Sequence, residues 1–238
     1  MRLYGGSSGY SYKEWKGPFY PDKCKPEAML AFYAERLTTV EINNTFYRMP
    51  KTEVLENWAA AVPDDFRFVI KASRRITHQM KLSLDAKDSV DYLFSRLTAL
   101  GSKLGPVLFQ LPPYLRKDLP LLQGFLEMLP DAQVAIEFRS RSWFDDEVFA
   151  ALRARGVALC VTDWEDPSKV APLEKTASFA YLRLRKEVYT DEELVDWIAR
   201  MTAKGWDSAY VFFKHEDDGA APKLAMRMGE LHAEAASR

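Results

Sequence analysis

Polar side chains recur in this chain where apolar runs end, and their spacing is the first sign of chemistry. Glu41 and Asn43 flank Ile42, Glu137 and Arg139 flank Phe138, and Arg183 and Arg185 flank Leu184. Lys71, Gln110, Asp163 and Lys214 close further apolar runs. In β-strands, side chains two apart share a face, so each charged pair points one way and the apolar residue between them the other. Such a set can do acid/base work at Glu137 and Glu41, with Lys71 as electrophile or charge stabiliser and Asp163 as a third catalytic carboxylate. Arg139, Arg183, Arg185 and Lys214 would clamp an anion, because the guanidinium fork matches phosphate and carboxylate. Asn43 and Gln110 would orient it. Five cations (Lys71, Arg139, Arg183, Arg185, Lys214) against three carboxylates favour a small anionic or phosphorylated ligand. The plainer alternative is a buried network in which Glu41, Glu137 and Asp163 neutralise Lys71, Arg139 and Arg183. Charge clusters in clefts mark sites more often than not, so a working pocket is the expectation.

Two loops add candidates. His78, in Ser73-Arg74-Arg75-Ile76-Thr77-His78, titrates near neutrality and could contact a ligand or exchange a proton. Arg74 could touch phosphate, although a solvated loop is its plainer reading. The aromatic loop Tyr10 to Tyr20, with Trp15 and Phe19, could cap a pocket or stack on a base; packing on a rim is the commoner use. Other chemistries recede. With three histidines (His78, His215, His232), a His-rich di- or trinuclear metal site is disfavoured. No metal or cofactor is called for, while a single Mg²⁺ on Glu or Asp stays open. There is no serine elbow and no Cys–His pair. Paired carboxylates raise a glycosidase, but Glu41 and Glu137 stand three strands apart, and the arginine surplus disfavours it.

Regular elements must hold these residues. Eight β-rich runs recur: Arg2–Gly6, Thr39–Asn43, Phe66–Ala72, Pro106–Leu111, Gln133–Arg139, Val157–Asp163, Phe179–Leu184 and Ser208–Phe213. Amphipathic stretches at helical spacing lie between most of them: Pro26–Arg36, Lys87–Leu100, Leu119–Leu129, Asp145–Arg155, Asp191–Ala203 and Pro222–Ala235. Thr190 and Asp191 supply N-cap chemistry ahead of Glu193, and Gly156 and Gly205 sit where helices should stop. Strand–helix alternation implies parallel strands with right-handed crossovers. Eight units at about 30 residues each fit a small (β/α)₈ TIM barrel, one domain over 1–238, with its site at the C-terminal strand ends. The sixth unit is irregular: Trp164–Ser178 contains Pro167 and Pro172 and should hold no full helix. A doubly wound sheet is disfavoured because no Gly-rich phosphate fingerprint follows any strand.

Composition agrees. The chain has 238 residues, 47% hydrophobic and 13% aromatic, enough for a sizeable core. Its size predicts a folded surface of roughly 11,000 Å². A net charge of −1 excludes a generally basic nucleic-acid coat or a polybasic membrane binder. Cys24 and Cys160 cannot form a disulfide framework, and Cys160 reads as a buried structural thiol. With no apolar run of about 18 residues and no leader pattern at Met1–Gly6, a soluble cytoplasmic protein without a membrane partner is expected.

An ordered set of motifs carries a resemblance. Gly6-x-Ser8-Gly9-Tyr10, Trp15-x-Gly17-x-Phe19-Tyr20-Pro21 and Thr39-Val40-Glu41-Ile42-Asn43-x-Thr45-Phe46-Tyr47 come first. Phe66-x-Phe68-x-x-Lys71, Ile76-Thr77-His78 and Leu104-Gly105-Pro106-x-Leu108-x-Gln110-Leu111-Pro112-Pro113 follow. Glu137-Phe138-Arg139-x-x-Ser142-Trp143 and Tyr210-Val211-Phe212-Phe213 complete the set, and Trp143 joins the candidate substrate contacts. Over essentially its whole length the chain resembles the YecE-like family of domains of unknown function, which implies a TIM barrel and no reaction. It departs from the commoner family pattern in having Arg185-Lys186 where relatives carry His-Gly, and Lys214-His215 where they carry paired asparagines. Three functions are therefore expected in order: an enzyme for a small anionic substrate, hydrolase or lyase; a nucleic-acid-binding or processing protein gripping phosphates at the mouth; and a non-catalytic ligand sensor.

Overall fold

The strands pair in chain order and return to the first. The computed structural model describes residues 1–163, 170–214 and 218–237. Strands β1 (Arg2–Ser8), β2 (Thr39–Ile42), β3 (Arg67–Lys71), β4 (Leu104–Gln110), β5 (Val134–Glu137), β6 (Ala158–Thr162), β7 (Phe179–Leu184) and β8 (Ser208–Phe213) are all parallel. β1 pairs with both β2 and β8, closing the barrel. Helices α1 (Pro26–Ala34), α2 (Thr52–Ala60), α3 (Lys87–Leu97), α4 (Leu119–Met128), α5 (Asp146–Ala154), α6 (Asp191–Ala203) and α7 (Ala220–Ala236) accompany them. The expected TIM barrel is thus what the chain forms, and its surface of 11477 Å² matches the size argument.

The period-two alternation sorts each strand into two cores. Val40, Ile42, Phe68, Ile70, Phe109, Ile136, Leu182 and Val211 belong to the large core between strands and helices. Tyr4, Val69, Leu108, Cys160, Tyr181, Tyr210 and Phe212 form a separate cluster inside the barrel. Tyr4 stacks on Tyr210 at 4.6 Å, so the interior is filled rather than open. Cys160 is one of those interior plugs, buried as expected, and burial pushes its thiol well up.

Local signals act where expected. Thr190 and Glu193 form a reciprocal capping box at the start of α6, while Gly156 and Gly205 adopt φ of 62° and 69° after α5 and α6. Helix α2 lies outside the stretches singled out by periodicity, although Leu55, Trp58, Ala59 and Val62 recur at helical spacing; Leu55 is buried and Trp58 stacks on Phe68 of β3. In the sixth unit, residues 170–178 carry no helix, and 164–169 lie outside the described residues. The aromatic loop after β1 packs on the rim: Trp15 and Tyr20 are buried and Phe19 meets Phe32 and Tyr33 of α1 edge-on.

Gly6 marks the tightest point of the wall. A Cβ there would sit 2.1 Å from the Thr39 carbonyl oxygen of β2, a backbone atom that cannot swing away. Gly6→Ala is expected to cost at least about 1–3 kcal/mol, read as a lower urea midpoint with an unchanged slope.

Candidate functional site

Register brings the polar strand ends together. Ser8 lies beside Glu41, Gln110 beside Glu137, and Thr162 beside Arg183. Because neighbours in a parallel sheet share a face, Ser8, Glu41, Gln110, Glu137 and Arg183 converge inside the barrel above Tyr181 and Phe212.

Arg183 is the centre. Its Nη1 donates to Glu137 Oε2 at 2.7 Å and its Nη2 to Glu41 Oε1 at 2.8 Å, with all three side chains at most 3% exposed. Glu41 also accepts from Ser8 Oγ (2.9 Å), Asn43 Nδ2 (3.1 Å) and the Tyr181 hydroxyl (2.6 Å). Glu137 also accepts from Gln110 Nε2 (2.8 Å) and Arg139 Nε (3.1 Å), with Arg185 Nη2 3.7 Å away. Burial alone would push both carboxyls up, but Arg183 and these donors outweigh it and hold both below the ordinary glutamate value, Glu137 furthest. Neither carries a proton near neutrality. Of the acid/base duties foreseen for them, only that of an acceptor is open.

Lys71 stands next to this network without joining it. Its Nζ lies 4.3 Å from the Phe46 ring centroid, and among the described residues no carboxylate forms an ion pair with it. A ring contributes about 0.5–1 kcal/mol to an exposed cation, too little to hold a proton firmly. Burial, then Arg183, brings Lys71 down to about 8. His78 reaches the other side of the same ring, edge-on at 5.1 Å, from a π-helical turn at Arg75–Gln79. Burial, then Lys71, Arg139 and Arg74, holds it below the ordinary histidine value.

Other candidates fall elsewhere. Asp163 is one residue past Thr162 and so turns to the opposite face, accepting from the Tyr189 hydroxyl at 3.0 Å; burial pushes its carboxyl up. Trp143 packs in the core instead of joining the charged cluster: it is fully buried, stacked on Phe138 at 4.8 Å, and donates its indole N–H to the Leu115 carbonyl. Lys214 is exposed at the end of β8, and His215 lies outside the described residues. Glu41 and Glu137, three strands apart, are bridged by the one guanidinium of Arg183. Tyr181 and Phe46 join the site without having been singled out; Tyr181 sits two residues before Arg183, so period two would have found it. Among the described residues no three His, Cys, Asp or Glu side chains group closely enough to hold a metal ion.

A closed (β/α)₈ barrel with a charged cluster at its C-terminal mouth defines the class. Within it, the chain belongs to the DUF72 family of proteins of unknown function, whose family model matches residues 4–238. It is 28% identical over 173 residues to the UPF0759 protein YunF of Bacillus subtilis, covering 68% of this chain and 60% of that protein. It is 33% identical over 138 residues to the UPF0759 protein YecE of Escherichia coli K12, covering 55% of this chain and 50% of that protein. The matches thus span about half to three-fifths of the length of these curated relatives. A solved DUF72 family protein from Thermotoga maritima MSB8 superposes with a TM-score of 0.85 at 26% identity, covering 97% of this chain and 99% of that one. No helix of the described residues is long and apolar enough to cross a membrane.

Removing the central guanidinium would strand two buried carboxylates. Arg183→Met is expected to lose roughly 3–5 kcal/mol at pH 7. In the unaltered protein both folded carboxyls lie below the ordinary value near 4.5, so their contribution is full above that value and drains as pH falls below it. In Arg183→Met they bind protons more readily folded than unfolded, so part of the loss should return between pH 7 and 5. Urea unfolding of both proteins at the two pH values checks the narrowing gap.

Proposed function

We propose that the protein is an enzyme whose barrel mouth binds a small anionic or phosphorylated substrate. What supports this is the local excess of positive charge. Arg183, Arg139, Arg185 and Lys71 face two carboxylates, Glu41 and Glu137, so among the described residues four cations less two anions leave +2. Lys71 and His78 respond to that field: after burial, what lowers each pKa most is a neighbouring cation, Arg183 at Lys71 and Lys71 at His78. An anion in the mouth would relieve the repulsion that a network closed on itself leaves standing. Arg139, exposed at its outer edge, and Arg185 would seat the anion, Asn43 and Gln110 would fix the carboxylates around it, and Lys71, brought down to about 8, would serve as proton carrier or electrophile. Glu41 and Glu137 would hold the guanidiniums in place. Turnover separates this reading from a ligand sensor.

Nucleic-acid binding is the second reading. Tyr47 and Tyr114 are exposed, at 74% and 61%, and a 560 Å³ cavity lined by Arg48, Arg75, Ser73 and Tyr92 adjoins the loop after β3. Arginines beside exposed rings suit backbone phosphates and stacked bases.

Thermal unfolding against inorganic phosphate, sugar phosphates and short single-stranded oligonucleotides, at low and high salt, tests both. A small phosphorylated compound at 100 times its Kd should add about 2.7 kcal/mol, persisting in salt, and Arg139→Ala should weaken binding by about 1.5–3 kcal/mol. A shift confined to oligonucleotides and lost in salt would favour the second reading. No shift with any of them would overturn both.

A further inference from the structure

Lys71 has a chemical property that anion binding alone does not use. It closes β3 on the inner face, half-buried, and Thr45 Oγ1 donates to its carbonyl oxygen at 2.7 Å, pinning that strand end. Its amine rests on the Phe46 ring. Both neighbouring glutamates are engaged by Arg183, and among the described residues they act on the amine through space and not as its ion-pair partners.

We propose that Lys71 is a nucleophile that forms an imine with the carbonyl carbon of a small anionic substrate, whose anionic group sits on Arg139 and Arg185. This rests on the reading of the mouth as an anion site and narrows the substrate to anions that also carry an aldehyde or ketone. The amine nitrogen bonds to the carbonyl carbon, and the carbonyl oxygen takes up the proton that the nitrogen releases. The resulting hydroxyl leaves as water with one further proton from solvent, and the nitrogen lone pair closes the C=N bond. The net change is ammonium plus carbonyl to iminium plus water, so the positive charge of the site is conserved.

Placement favours the step. Only the unprotonated amine attacks, and an amine desolvated beside other cations releases its proton early. With a pKa of about 8 against the ordinary 10.5, Lys71 presents roughly 300 times more free amine at neutral pH than a solvated lysine. The groups that bear on it are Arg183 and Arg139, which favour the neutral amine, and Glu41 and Glu137, which oppose them. Glu41 and Glu137 remain ionised and give up no proton, whereas His78, edge-on to the same ring, is held below the ordinary histidine value.

The test is trapping by reduction. The full chain is incubated with glyoxylate or with pyridoxal phosphate, one a carboxylate and the other a phosphate ester bearing an aldehyde, then reduced with borohydride and mapped by peptide mass spectrometry. At pH 7 the adduct should fall on Lys71 at least tenfold above any other lysine. Its rate should rise towards pH 8 and level off above it, and excess inorganic phosphate should slow it. Lys71→Arg should abolish the adduct while keeping the phosphate-induced rise in melting temperature; if that variant does not fold, the peptide map of the unaltered chain decides alone. Labelling spread evenly over surface lysines, or none at Lys71 while phosphate still stabilises the protein, overturns the imine and leaves the anion site standing. Loss of both the adduct and the phosphate response overturns the two readings together.

Discussion

Arg183 lies between two glutamates that the barrel has taken out of water, and the mouth is organised around that fact. A single carboxyl buried there would keep its proton, and two facing each other would drive one another's pKa upward. One planar guanidinium with two separate Nη groups can serve both at once, which an ammonium on a flexible stem does less well. The remaining acceptor capacity is filled by Ser8, Asn43 and Tyr181 at Glu41, and by Gln110 and Arg139 at Glu137. Desolvation makes such a group costly to assemble and costlier to break. Among the described residues, two carboxylates so thoroughly engaged form no ion pair with Lys71 and favour its ammonium only through space.

The filled interior beneath the network matters as much as the network. Tyr181 both donates to Glu41 and packs against Phe212 at 5.3 Å, joining the polar layer to the aromatic plug below. Tyr4 and Tyr210 continue that plug toward the opposite end. With water excluded from below, each charge in the mouth is felt more strongly by its neighbours than it would be at an open surface. The pull of Arg183 on Lys71, and of Lys71 and Arg139 on His78, follows from this. Stability is concentrated in the barrel interior and wall, and chemistry at the strand ends, the division this fold imposes.

Much of this was legible in particular residues. Alternation around Ile42, Phe138 and Leu184 was enough to place Glu41, Glu137, Arg183 and their partners on the inner face, and the barrel holds them there. Tyr181 was equally legible by the same count and went unremarked because its ring reads as core. The placement of Asp163 was not legible from its closing an apolar run: register sets Thr162 level with Arg183 and so turns Asp163 outward to Tyr189. Nor was that of Trp143, because the chain leaves β5 at Glu137, after which period two no longer tells where a side chain points. Helix α2 was legible as well, in the helical spacing of Leu55, Trp58, Ala59 and Val62.

By itself, the sequence determined the class of fold, the inward set of charged residues and their surplus of cations. These follow from short-range rules: the two-residue period of strands, the 3.6-residue period of helices, and the composition of strand ends. Which side chains meet is set by the folded chain alone. Arg183 touches both Glu41, 142 positions away, and Glu137, 46 positions away, and no local rule sets those distances. Parallel register and barrel closure fix them, because shear and stagger determine which strand ends lie level. The same closure left Lys71 on an aromatic ring instead of a carboxylate, and burial there beside Arg183, at an unchanged residue type, brings its amine down to about 8.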